Sequence, residues 1–181
     1  MQATEQKPAG RHYGHFALMI LTSTVIMYGL MYLNTYEVSH VTFSQTRLWM
    51  ALIMGAAMAF IMMAFMWRMY PRRNLNVAIL GGSIVLFVVA LWLVRSQRTV
   101  DDISYMSAMI PHHSIAIMTS ERAQIRDPRV RKLADGIIRA QVKEIGEMKA
   151  LIADLREHPP HTDVPPIPSY RKQGASPPAP D

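Results

Sequence analysis

Three uninterrupted apolar runs, at residues 16–33, 48–67 and 77–94, decide most of what this chain can fold into. A helix needs about 18 or more apolar residues to cross a hydrocarbon core of about 30 Å. Within lipid the backbone must satisfy its own N–H and C=O groups, which a helix does. The runs therefore predict three transmembrane helices across residues 16–94. The first run follows Lys7 and Arg11, as a secretory signal would. It continues into Tyr32-Leu33-Asn34-Thr35-Tyr36 rather than a small-residue cleavage site, and is read as retained.

The rest of the chain has a different character. Residues 1–15 form a polar leader to the first span, and residues 95–157 carry most of the charge and read as a soluble helical domain. Residues 158–181 are rich in Pro, Ser and charge and read as a disordered tail. The absence of cysteine excludes disulfides, thiolate zinc sites and palmitoylation, and fits an oxidising compartment. Basic residues set the expected orientation. Lys7 and Arg11 precede span one, and Arg68, Arg72 and Arg73 crowd the turn between spans two and three, whereas the first loop carries only Arg47. This predicts a bacterial inner-membrane protein with its N-terminus and the Arg turn cytoplasmic and residues 95 onward periplasmic, against the weaker pull of Arg95 and Arg98.

Span two repeats methionine every four residues, at Met50, Met54, Met58, Met62 and Met66, with a parallel row of small residues at Ala51, Gly55 and Ala59. The small row invites close approach of another helix in lipid. The methionines have two readings, flexible packing material or a thioether ladder for a soft metal ion. Gly81-Gly82-Ser83 in span three suggests a further tight helix contact.

The soluble domain reads as two antiparallel helices. Thr99 followed by Asp102 suggests a cap that restarts the chain as a helix over about residues 100–124; an unbroken helix from the membrane is the alternative. Pro111 bends this helix and frees the carbonyl of Ser107. Asp127-Pro128 starts the second helix, which runs to Glu157. At about 100° per residue, Asp102, Met106, Met109, His113 and Ser120 share one face of the first helix, and His112 lies a further 100° round. The second helix has an inward stripe of Val130, Leu133, Ala134, Ile137, Met148, Leu151, Ile152 and Leu155, with Gln141 and Glu144 in its middle. A carboxylate on a buried face needs a partner. Counting equally from a fold near Arg126 sets His113 level with residues 138–141, Met109 with Glu144 and Met106 with Met148, to within one turn of about 5.4 Å.

Thioether, imidazole, amide and carboxylate thus meet on one level. Imidazole and thioether donors favour a soft or borderline metal, with copper first on ligand type. Residues 95–157 hold no Glu-x-x-His for di-iron chemistry and no serine spaced with a base, so the chain is read as a non-enzyme. The alternative is structural: His113 hydrogen-bonded to Glu144 or Gln141 would set the register of the pair without metal. The Arg122, Arg126, Arg129, Arg131 and Lys132 cluster at the hairpin tip reads as a solvated face rather than a nucleic-acid site. His158 and His161 would add at most a weak metal site.

The combination Met109-Ile110-Pro111-His112-His113, Ala116-Ile117-Met118, Gln141, Glu144-Ile145 and Met148 resembles the bacterial domain of unknown function 305 family, over about residues 101–155. The membrane half looks like the three-span region found on some members. The resemblance implies a ferritin-like helical domain, exported from the cytoplasm, with some relatives linked to copper. Carried onto this chain it implies the ligands Met109, His112, His113, Met118, Gln141, Glu144 and Met148. One helix pair is half of a four-helix arrangement, so a homo-oligomer is implied as well. The expected protein is all-α: three transmembrane helices, then a ferritin-like antiparallel hairpin on the periplasmic side that binds a soft metal, copper first.

Overall fold

The computed structural model describes residues 9–160 and 165–169. Most of the polar leader, His161 and most of the tail lie outside them. The described residues form five α-helices and no strand: α1 (Ala9–Leu30), α2 (Gln45–Phe65), α3 (Arg73–Ser96), α4 (Asp102–Arg122) and α5 (Pro128–Glu157). Helices α1 to α3 carry the three apolar runs, the first two ending three and two residues before their runs do, and each is long and apolar enough to cross a membrane.

Helix α2 is the centre of this half, with α1 and α3 packed against it. Its contact side is the small-residue row. Ala51, Gly55 and Ala56 are buried, and a Cβ built on Gly55 would run into the side chain of Thr24 in α1. The expected contact at Gly81-Gly82-Ser83 takes another form. Ser83 is buried and its hydroxyl donates to the Ile79 carbonyl at 2.7 Å, but a Cβ on Gly81 or Gly82 would meet nothing. The methionine row winds about 40° per four residues. Met50 and Met54 are consequently exposed, while Met62 and Met66 pack against a cluster of Tyr13, Phe16, Met63 and Tyr70. At this end Asn76 is fully buried and ties three segments together. The Tyr13 hydroxyl donates to its Oδ1 at 2.8 Å, and its Nδ2 donates to the Tyr70 carbonyl at 3.1 Å.

Helix α3 ends where Gln97 takes a left-handed conformation (φ 52°), and α4 restarts at a cap in which Asp101 Oδ1 accepts from Ser104 N–H at 2.7 Å. The unbroken alternative is thereby set aside, and the cap falls on Asp101 rather than Thr99. Helix α5 opens as expected, with the Asp127 carboxylate accepting from Arg129 N–H at 2.8 Å. Helices α4 and α5 pack side by side around Met106, Ile110, Ile117, Ile145, Met148 and Ile152. Arg131 fastens the tip: it donates to the Ser120 carbonyl and to Asp135, both at 2.8 Å.

The inward stripe of α5 is narrower than its apolar arc. Ala134, Ile145, Met148 and Ile152 are buried, whereas Val130, Leu133, Ile137 and Leu151 are exposed. One partner helix covers only part of an arc this wide, and α4 takes the side centred on Ile145.

Candidate metal centre and its membrane clasp

Pro111 sits in the middle of α4 and is buried. Lacking an N–H, it leaves the Ser107 carbonyl without its helical donor. The donor comes from the other half of the chain: Thr42 Oγ1, in the loop joining α1 to α2, donates to that carbonyl at 2.6 Å. One turn later Ser114, fully buried, accepts from Tyr36 N–H at 2.8 Å and lies 3.0 Å from His40 Nδ1. Assigning the Ser114 hydroxyl proton to His40 Nδ1 lets the one oxygen accept from Tyr36 and donate to His40. That assignment places the ring proton on Nε2, 3.7 Å from Glu37 Oε2. Arg122 of α4 stands 6.0 Å over the Tyr36 ring. The 34–44 loop is therefore clasped to α4, and α2 itself also touches α4.

Sequence reading missed this clasp. The signal was there in two pieces, a carbonyl released by Pro111 and a serine on a buried helix face, but their partners lie 65 to 78 residues away.

On its other side α4 presents His113 to α5. His113 Nε2 is 3.2 Å from Glu144 Oε2, and Gln141 Nε2 approaches the same oxygen at 3.5 Å. Equal counting from the tip placed His113 against residues 138–141, about one turn short of Glu144. Side chains lean toward the N-terminus of their helix. Glu144 leans toward the tip and His113 away from it, so the two meet although Glu144 starts further out. His113 Nδ1 is shut off from solvent and has no hydrogen-bond partner among the described residues. Assigning the ring proton to Nε2, on the Glu144 side, leaves the lone pair on Nδ1. Enclosure lowers the His113 pKa from its ordinary value; Glu144 offsets this in part and His112 adds to it. The imidazole is thus neutral near neutral pH, the form a metal needs.

The other expected ligands are distributed around this pair. Met148 lies in the core cluster with Met106, and Met109 packs against that cluster. His112 is exposed; its ring lies 6.1 Å from that of His113 at 24° between planes, and it lines a different cavity, toward α2. Met118 is half-buried on α4. No group of three His, Cys, Asp or Glu side chains gathers among the described residues, so a metal here would draw on thioethers or on a second copy. The donor set present, one orphaned imidazole nitrogen backed by a carboxylate, fits a histidine ligand held by an outer carboxylate.

Two histidines give a pH dependence. Burial lowers His40 as well, with Lys149 adding to it and Glu37 opposing. Both groups have folded-state pKa values below their unfolded value of about 6.5. The unfolded chain then binds more protons, and stability present above about pH 6.5 is lost as pH falls through the folded values. Thermal unfolding of the full chain in nanodiscs should occur at lower temperature at pH 5 than at pH 7.5. His40→Gln should flatten that difference; an equal difference in the variant would exclude His40 as a source.

Comparison with known proteins places a boundary near the start of α4. The chain is 36% identical over 76 residues to uncharacterized protein L153 of Acanthamoeba polyphaga mimivirus, a stretch that is 41% of this chain and 50% of that protein. The chain thus spans about half the length of the curated relative it matches. No solved structure matches. A family model matches residues 102–178, so that over α4, α5 and the segment beyond them the chain is similar to the domain of unknown function DUF305.

Proposed function

We propose that this is a membrane-anchored metal-handling protein, whose α4–α5 hairpin binds a soft ion, copper first, without catalysing a reaction. The observation that carries this reading is the enclosed, partnerless Nδ1 of His113. A histidine kept only to fix register would satisfy both nitrogens, and here one stays vacant while the other faces Glu144. Glu144 acts as the orienting carboxylate, and Met106 and Met148 bring thioethers into the same helix interface. The ferritin-like, copper-linked family resemblance and the basic turn at Arg68, Arg72 and Arg73 support a bacterial inner membrane with the hairpin on the periplasmic side. The exposed Leu133, Ile137 and Leu151 on α5 support a second copy of the chain as the cover that completes a four-helix arrangement.

The competing reading is a hairpin that dimerises through that strip without metal. Competition titration of the full chain with Cu(I) against a chelator separates the two. We expect stoichiometric binding, abolished in His113→Ala and weakened about 10–100-fold in Glu144→Gln, as for other outer-carboxylate losses. Binding that is equally tight in His113→Ala would move the ion off Nδ1, and no stoichiometric binding at all would leave the dimer module standing.

A further inference from the structure

Helices α1 and α3 each pack on α2, and between them they leave a groove of about 430 Å³. Its floor is the small-residue row of α2, Gly55, Ala56 and Ala59, and its walls include Phe16 and Leu21 of α1 and Leu86 of α3. Three hydroxyls also border it, and all are engaged within the fold. Tyr13 donates to Asn76 Oδ1 at 2.8 Å, Thr24 to the Ile20 carbonyl at 2.8 Å and Ser83 to the Ile79 carbonyl at 2.7 Å. A ligand in the groove thus meets hydrocarbon and no free hydroxyl. One end is strongly basic. Tyr13, which lines that end, accepts from Arg72 N–H at 3.1 Å, and Arg72, Arg73 and Asn74 line an open recess at the start of α3. Leu75 and Ala78 of the recess and Gly82 and Leu86 of the groove share one face of α3 at helical spacing, so the one leads into the other.

We propose that this groove holds an acyl chain of an anionic phospholipid, with the phosphate of its headgroup at Arg72 and Arg73. The inference rests on reading α1 to α3 as membrane-spanning helices and extends that reading to a specific lipid. From Tyr13 to Thr24 the groove follows α1 for about 16 Å at about 1.5 Å per residue. That is close to half of a hydrocarbon core of about 30 Å, the depth of one leaflet. Charge selects the headgroup. Arg68, Arg72 and Arg73 are exposed and have no ion-pair partner among the described residues. The one carboxylate within residues 9–96, Glu37, lies at the other end, in the loop clasped to α4. No side chain caps the first turn of α3, and its N–H groups add to the pull on an anion. A second copy of the chain is the other occupant that a small-residue floor invites in lipid. Inserted in the same sense, it would set its own three arginines beside these, a like-charge contact that a phosphate replaces with an attractive one.

Gly82 supplies the test, because a Cβ there would meet nothing within 4 Å. Gly82→Leu fills the groove from open space and puts a better helix former in mid-helix, so the fold should be kept, read as unchanged helix content. The full chain is reconstituted in vesicles of equal parts phosphatidylglycerol and phosphatidylcholine, floated with them, and released into native mass spectrometry. We expect the wild type to retain one phospholipid, phosphatidylglycerol over phosphatidylcholine by about fivefold or more, the preference that a single arginine near the headgroup gives. Arg72→Gln/Arg73→Gln should bring the two lipids to even retention, and Gly82→Leu should lose the retained lipid of either kind. Even retention in the wild type, or retention unchanged in Gly82→Leu, overturns the proposal. A lipid-free dimer that Gly82→Leu breaks gives the groove to a second copy and overturns it as well. A chain that does not float with the vesicles removes the membrane reading and the proposal together, whereas one that floats without retained lipid removes the proposal alone.

Discussion

Replacing Ser114 by alanine should release the 34–44 loop from α4 and give the largest stability loss of any one-atom change in the hairpin. The hydroxyl is fully buried and serves two groups of the loop, accepting from Tyr36 N–H and meeting His40 Nδ1. Its removal leaves an amide and an imidazole nitrogen buried without a partner. Each such orphan costs about 1–3 kcal/mol, so the clasp should weaken by about 2–6 kcal/mol. Alanine preserves the helix and adds no bulk. Amide exchange in the full chain reads the result directly: Tyr36 and the 38–42 backbone should exchange faster by orders of magnitude, while the Ile145 region of α5 changes little. Protection at Tyr36 equal to wild type would mean that another group holds the loop.

Substitution of Gly55 should act on the α1–α3 half in a comparable way. Thr24 lies directly over Gly55, and its hydroxyl is fixed by donation to the Ile20 carbonyl at 2.8 Å. A Cβ on residue 55 therefore meets a side chain with no free direction to swing. Overpacking of this kind costs about 1–3 kcal/mol for one methyl group and more for a larger side chain. Gly55→Leu should separate α1 from α2, seen as increased distance between spin labels on the two helices and as a lower unfolding temperature in detergent. Gly55→Ala should be milder. The Thr24→Ala/Gly55→Ala pair should recover most of the loss, because without its hydroxyl and methyl the residue 24 side chain ends at its Cβ, 3.4 Å from the new one. A double variant no better than Gly55→Ala would place the strain elsewhere.

The elements of the fold were legible because each has a local cause. Apolar length gives three helices long enough to cross a membrane, Asp127-Pro128 opens α5, and the small row at Ala51 and Gly55 marks the side on which α1 crosses α2. What depends on partners was legible only in part. The apolar arc of α5 shows in the sequence, but which side of it α4 covers is settled by packing, and Leu133 and Leu151 were read as inward when Ile145 is. The pairing of His113 with Glu144 was readable as chemistry but misplaced by about a turn, since residue counting ignores the direction in which side chains lean. The separation of His112 from His113 followed from the 100° step between neighbours on a helix. That His112 would line the same cavity as Met50 did not follow, because nothing local relates α4 to α2.

The Thr42–Ser107 bond has a consequence for where this protein can be cut. The family model's match begins at residue 102, and a fragment designed on it would begin there too. Such a fragment would carry a helix with a bare carbonyl opposite Pro111 and a bare hydroxyl at Ser114, both left for water to fill. Its natural lid is made 65 to 78 residues earlier and stays behind with α1 and α2. The portable piece of sequence and the self-sufficient piece of structure are thus different objects, and an excised hairpin should prove looser at its centre than at its ends.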